Sequence, residues 1–207
     1  MAIHYLNIPL KDQDVESLNI GDLVYISGPF FTCRSLLQHY IFDDAHDLPF
    51  STRKENCLIH VGPIVVKEND KWRLVSFMPT SSIRFEKWGA RSVETWGLKM
   101  IVGKTTMGEK TTAMMVEKKC VHVSPQSVSP NLWIDHIKIK DVYLFDELGT
   151  IEAAWQMEAD KLGPFIVDID TKGKNLFDRL DITIAANKEK AYAMLNIPKD
   201  FEYTKLY

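Results

Sequence analysis

Cysteine is scarce in this chain. Cys33, Cys57 and Cys120 are odd in number and far apart, which excludes a disulfide framework and a zinc site of the paired-cysteine type. They read as reduced thiols, and Cys57 and Cys120 each open an apolar run, the place of a small buried hydrophobe. An excess of one charge is also missing. Lys plus Arg number 25 against 28 Asp plus Glu, a net charge of -3 spread along the chain, so no electrostatic footprint for nucleic acid or an anionic membrane is present. Long hydrophobic runs are absent as well: the longest uncharged apolar stretch, Leu23 to Cys33, is far too short to span a bilayer. Met1 to Gln13 lacks the basic start and apolar run of a signal peptide. The expected location is cytoplasmic. There is no internal repeat and no low-complexity segment.

What is present is an ordinary globular composition. At 207 residues, 45% hydrophobic and 26% charged, the chain is long enough for one sizeable core and reads as one domain. Apolar runs at 23–31, 57–66, 72–78, 98–102, 120–124, 141–145 and 164–169 have strand length and β-branched or aromatic content. Helical patterns follow three of them, over Arg34–Phe42, Ile83–Trp96 and Glu109–Lys119, each after a short polar or glycine-containing junction. The class is therefore mixed α/β. Lys67-Glu68-Asn69-Asp70 reads as a hairpin turn, making part of the sheet antiparallel, and Ser124 to Asn131 reads as a long loop. Beyond Leu180 a tail, 181–207, carries one helical pattern, Asn187 to Leu195, expected to pack on the domain of residues 1–180 or to form an oligomer contact.

The most informative stretch is Pro79-Thr80-Ser81-Ser82-Ile83-Arg84, which sets three hydroxyls and a guanidinium where an extended run hands over to an amphipathic helix. Free amides at a helix start and a forked arginine donor both favour an anion. Two more cations stand at junctions of the same kind: Arg34 after Phe30-Phe31-Thr32-Cys33, and Lys104 after Met100-Ile101-Val102-Gly103. Open α/β sheets gather ligands at such strand ends, so Arg34, Arg84 and Lys104 are expected to converge on one small polyanion. With no evident acidic partner nearby in sequence, three such cations repel one another, and a dianion offsets that cost.

Other features read more plainly. Gly103-Lys104-Thr105-Thr106 fails as a phosphate loop, because five residues rather than four separate it from Gly97 and they look like a strand. His60 and His122 lie in apolar runs and read as core or rim residues without a second metal ligand at the right spacing. Asp168 and Asp170 read as a pair flanking a turn; Glu86 and Glu109 read as acids favoured by helix dipoles. The five tryptophans read as buried or partner-facing surface.

Several blocks in order carry a resemblance: Gly21-Asp22, Thr32-Cys33-Arg34, His60-Val61-Gly62-Pro63-Ile64-Val65, Pro79 to Arg84, Val102-Gly103-Lys104, and Asp168-Ile169-Asp170-Thr171-Lys172-Gly173. From about Leu6 to Phe177 the chain resembles the β subunit of the iron-sulfur hydro-lyases, the class I fumarase and L(+)-tartrate dehydratase family, and the Thr-Cys-Arg block, His60 and Met107-Gly108 lean toward the tartrate dehydratase branch. The resemblance implies a single swivelling β/β/α domain with a mixed sheet. It implies reversible loss of water from a four-carbon 2-hydroxy dicarboxylate, catalysed together with an α subunit that holds a 4Fe-4S cluster through its own cysteines, with αβ units forming a homo-oligomer. By the same resemblance Arg34 and Arg84 bind substrate carboxylates, with Ser81 beside them, Lys104 holds the same substrate, Thr80 is the base for the carbon-bound proton, and His60 has a minor supporting role. No metal ligand is expected in this chain.

The chemistry suits those residue types. Removing a proton beside a carboxylate builds charge on it, so cations fixed there in advance favour the transition state. A threonine hydroxyl is a weak base and needs a neighbouring cation, for which Lys104 is the candidate. The chain departs from the family pattern at Ser35, Gln38, Met78, Phe85 and Thr105. Met78 and Phe85 add bulk near the pocket, and Ser35 removes an acid that would orient Arg34, which leaves the identity of the dicarboxylate open. The rival reading is a diverged, non-catalytic paralogue acting as a scaffold or regulatory subunit.

Overall fold

The computed structural model describes residues 1–126, 129–198 and 200–202. Among the described residues nine strands form in chain order: β1 (Ile3–Asn7), β2 (Leu23–Cys33), β3 (Cys57–His60), β4 (Ile64–Glu68), β5 (Lys71–Ser76), β6 (Met100–Val102), β7 (Val121–Pro125), β8 (Ile137–Tyr143) and β9 (Ala154–Ile169). The α-helices among the described residues are α1 (Asp12–Glu16), α2 (Ser35–Phe42), α3 (Glu86–Thr95), α4 (Glu109–Lys118), α5 (Phe145–Leu148) and α6 (Leu176–Met194).

Seven strands make one mixed sheet in the order β1-β2-β3-β6-β7-β9-β8. The first five run parallel, and β9 returns antiparallel to β7, β8 and also β2. The parallel strands are hydrophobic on both faces because both faces are covered. Alternate residues divide accordingly. Phe31, Leu58 and Ile101 point to a core built with Leu37 and Ile41 of α2, Val93 of α3 and Met115 of α4. Phe30, Ile59, Met100 and Val102 point to a second core with Leu74, Phe77, Trp133, Trp155 and Phe165. The outcome is three layers: helices, the parallel sheet, and a β layer that includes the β4–β5 hairpin. The expected α/β class with a mixed sheet is what forms.

Three expectations change. The run 57–66 is not one strand but two, in different sheets, broken at Val61-Gly62-Pro63. Proline lacks the ladder donor, and a Cβ on Gly62 would meet the backbone of Ile151 at 2.7 Å and the Arg34 guanidinium at 2.9 Å, so the chain passes close to both there. Strand β9 is 16 residues long, although only its last six were legible, because its first half carries Glu158, Asp160 and Lys161 on a half-exposed strand. Helix α6 starts at Leu176 rather than Asn187, with Asn175 Oδ1 accepting from the amide of Phe177 as its cap, and has no buried residue. Part of the loop expected over 124–131, residues 127 and 128, lies outside the described residues, as do 199 and 203–207 of the tail. Among the described residues no helix is long and apolar enough to cross a membrane.

Candidate active site

Parallel strands joined by crossovers deliver all their C-terminal ends to one edge. Here Cys33 of β2 pairs with His60 of β3, β3 pairs with β6 up to Val102, and β6 pairs with β7 up to Val123. The residues that leave these ends are Arg34, the N-cap of α2, and Gly103-Lys104. Between β3 and β6 the segment Thr80-Ser81-Ser82 inserts as a short extended piece. The Thr80 amide donates to the His60 carbonyl at 2.7 Å, the Lys104 amide to the Thr80 carbonyl at 2.8 Å, and the Ser82 amide to the Lys104 carbonyl at 2.8 Å. Arg34, Thr80, Ser81, Arg84 and Lys104 thus share one edge of the sheet although they come from three separate stretches of chain.

That threading corrects one expectation. The amides of Thr80 and Ser82 are consumed by strand-like hydrogen bonds, so an anion at this edge is held by side chains rather than by those two donors. Ser81 is the N-cap of a 3-10 turn, Ser82–Phe85, and makes no side-chain cap. Arg84 follows in that turn, and its Nη2 donates to the Thr80 hydroxyl, while its guanidinium lies 5.8 Å from the centre of the Phe85 ring. The cation on the Thr80 hydroxyl is therefore Arg84 rather than Lys104. Arg84 is exposed; Arg34, Thr80, Ser81 and Lys104 are half-buried.

Arg34 does have an acidic partner, supplied from far along the chain. Glu152, in the turn before β9, places Oε1 3.3 Å from Arg34 Nε, at ion-pair distance though without hydrogen-bond geometry, and accepts from the Leu36 amide with Oε2 at 2.9 Å. One carboxylate thus holds the arginine, the role expected of the acid missing at Ser35, and also the first turn of α2. Gln38 is buried and donates to Ser92 Oγ at 3.1 Å, tying α2 to α3. Among the described residues, neither Arg84 nor Lys104 has a carboxylate at ion-pair distance.

Beneath Thr80 lies a buried polar chain that strand reading did not connect. Ser82 Oγ lies 2.9 Å from His60 Nδ1 and 2.8 Å from His122 Nε2; His122 Nδ1 lies 2.5 Å from Asp168 Oδ1, and the Ser124 hydroxyl donates to Asp168 Oδ2. His60, Ser82, His122 and Asp168 are each at most 1% exposed. Burial pushes His60 down to about 3, so it is neutral. Asp168 and Asp170 therefore part company: Asp170 does brace the turn, accepting from the amides of Lys172 and Lys174, whereas Asp168 serves His122. Glu86 is also more than a first-turn acid, since its two oxygens accept from the amides of Gly108 and Thr111 and cap α4.

The cysteines offer no ligand at this edge. All three are fully buried and their thiols are raised in pKa by desolvation, so they do not present thiolate ligands. Among the described residues no group of three or more His, Cys, Asp or Glu could hold a metal ion. A groove of about 580 Å³ lined by Phe42, His46, Phe50, Arg53 and Trp96 includes none of the edge residues.

An α/β domain whose parallel strand ends gather two arginines, a lysine and a guanidinium-bound threonine belongs among those equipped to hold a small polyanion at an edge. This chain is a member of the family described as Fumarase C-terminus, which matches residues 3–180. It is 33% identical over 184 residues to the L(+)-tartrate dehydratase subunit beta of Escherichia coli (strain K12), covering 89% of this chain and 88% of that protein. It is 30% identical over 191 residues, 90% and 94% of the two chains, to a putative L(+)-tartrate dehydratase subunit beta of Methanocaldococcus jannaschii. A putative fumarate hydratase class I of Geobacillus stearothermophilus is 27% identical over 177 residues, 85% of this chain but 34% of that protein. The family resemblance read from the motif blocks is borne out, and with it a hydro-lyase lineage.

Proposed function

We propose that this chain is the β subunit of a two-subunit, cytoplasmic iron-sulfur hydro-lyase that reversibly dehydrates a 2-hydroxy dicarboxylate of the malate or L-tartrate type and is active only with its α subunit. The observation that carries this is the Arg84 donation to the Thr80 hydroxyl on an edge shared with Arg34 and Lys104. A guanidinium that donates to a hydroxyl oxygen favours its alkoxide form, which is what a threonine needs to act as a base. Thr80 Oγ1 takes the proton from the carbon beside a carboxylate, the electron pair becomes the new carbon–carbon double bond, and the hydroxyl leaves as hydroxide. Arg34 and Lys104 meet the carboxylates, on which charge accumulates as the proton departs, and Ser81 lies beside them.

We place the 4Fe-4S cluster, which supplies a Lewis acid for the leaving hydroxyl, on the α subunit, because the three cysteines here are buried, protonated and dispersed. An edge whose Arg84 is exposed and whose Arg34, Thr80 and Lys104 are half-buried fits a site completed by a second chain.

The test is anaerobic co-purification with the α subunit and assay against malate, L-tartrate and related 2-hydroxy dicarboxylates. Dehydration of one of them by the pair and by neither chain alone is expected, with Thr80→Ala lowering kcat by at least about 100-fold. A cluster-loaded pair that turns over none of these substrates favours the scaffold reading, and a T80A pair at full rate overturns the assignment of Thr80 as the base.

A further inference from the structure

We propose that the buried chain Asp168–His122–Ser82–His60 is a polarised hydrogen-bond relay whose role is to position the segment carrying Thr80 and Arg84. It deepens the hydro-lyase reading and rests on it only for the kinetic part of its test.

The polarity follows from counting protons. As a carboxylate, Asp168 only accepts, so the short contact at 2.5 Å requires a proton on His122 Nδ1, and the Ser124 hydroxyl supplies the second oxygen. In the proposed relay that is the only proton on His122, so Nε2 carries a lone pair and the single Ser82 proton goes to it across 2.8 Å. Ser82 Oγ, having spent its proton, can only accept from His60, which requires the His60 proton on Nδ1 at 2.9 Å. His60 Nε2 is left as a buried lone pair with no hydrogen-bond partner, beside the Phe85 ring whose centre is 4.5 Å from that of the imidazole. Every hydroxyl and imidazole proton in the chain is thus set by one carboxylate.

Position argues for purpose. Four polar side chains, all at most 1% exposed, stand where apolar ones would fold at lower cost. They connect β3, β7 and β9 to Ser82, which lies midway between Thr80 and Arg84 in sequence. Gly103 completes the fit: a Cβ there would overlap the Ser82 hydroxyl and stand 3.2 Å from the Thr80 carbonyl. Ser82 Oγ at the middle of this chain is bonded on both sides, to His60 and to His122, so Ser82 and the turn that starts at it are held in one place. Ser82, His122, Asp168 and His60 act through Thr80 and Arg84, as positioning residues.

Two measurements test this. The first is a nitrogen-15 histidine spectrum of the full chain at pH 7. The expected signature is a proton on Nδ1 and a bare Nε2 at both His60 and His122, although free histidine favours the opposite tautomer; in Ser82→Ala, His60 loses that signature while His122 keeps it. A wild-type His60 protonated on Nε2 overturns the relay, and this reading needs no variant to fold. The second is steady-state kinetics of the reconstituted αβ complex. S82A is expected to lower kcat about 10- to 100-fold, the range of lost supporting contacts around a site, with KM within about threefold. An unchanged kcat overturns the positioning role. If the wild-type complex dehydrates no dicarboxylate, the functional reading falls, and the tautomers alone decide the relay.

Discussion

Gly103→Ala is the sharpest probe of the strand-end edge, because glycine there is required by space rather than by backbone angle. The added methyl overlaps the Ser82 hydroxyl and comes within 3.2 Å of the Ser82 Cβ and of the Thr80 carbonyl, so the short serine side chain must turn away. Turning away breaks its contacts to His60 Nδ1 and His122 Nε2, both fully buried. Each buried polar group left without a partner costs about 1–3 kcal/mol, so the pair should cost about 3 kcal/mol, taken at the lower half of the range because one imidazole can change tautomer. For a chain of this size that corresponds to a fall in melting temperature of about 6–12 °C, read by calorimetry or by circular dichroism. The double variant G103A/S82A discriminates the cause. Both substitutions remove the same two hydrogen bonds, so the double variant should be barely less stable than either single one, a coupling of more than about 1 kcal/mol. Additive losses, or a G103A chain that melts within about 2 °C of the wild type, would refute the account of why glycine stands there.

Further outcomes follow from the same geometry. Glu152→Ala frees Arg34 and uncaps α2, and should raise KM for the dicarboxylate about tenfold while lowering stability by about 1 kcal/mol, measured by kinetics of the complex and urea unfolding of the chain. His60 is neutral in the fold down to about 3 but takes a proton in the unfolded chain near its ordinary 6.5. Its contribution should therefore be flat above pH 6.5 and fall by up to about 1.4 kcal/mol per pH unit between 6.5 and about 3, read from urea titrations as the amount by which the wild-type slope exceeds that of His60→Gln. Ending the chain at Leu180 removes exposed Ile182, Ile184 and Met194 and, among the described residues, no core residue, so stability should hold within about 1 kcal/mol. Light scattering should record a smaller particle, as expected if α6 joins αβ units; an unchanged mass would remove α6 from that role.

The strand-end motifs were legible because each is local: Thr80 to Arg84, Gly103-Lys104 and Cys33-Arg34 all show an apolar run, a polar junction and a helical pattern within a dozen residues. Their arrival on one edge also followed, since parallel strands with helical crossovers end on the same side. The acid that holds Arg34 could not be read, because Glu152 lies far along the chain and reaches the arginine only when the turn before β9 folds over Gly62. The run 57–66 misled for a related reason: periodicity records apolarity, not the close approach of Ile151 and Arg34 that breaks the strand. Half of β9 was hidden because a strand with one partly exposed stretch tolerates charge.

By itself, then, the sequence determined the α/β class, the family and the residue types at the anion-suited edge, all properties carried by short-range pattern. Only the tertiary structure decided which cation touches Thr80, which carboxylate steadies Arg34, and that two histidines, a serine and an aspartate from four separate stretches form one buried chain. Each of those is a pairing between residues distant in sequence, and hydrogen bonds between such residues are specified by the packing of strands and helices rather than by any local pattern.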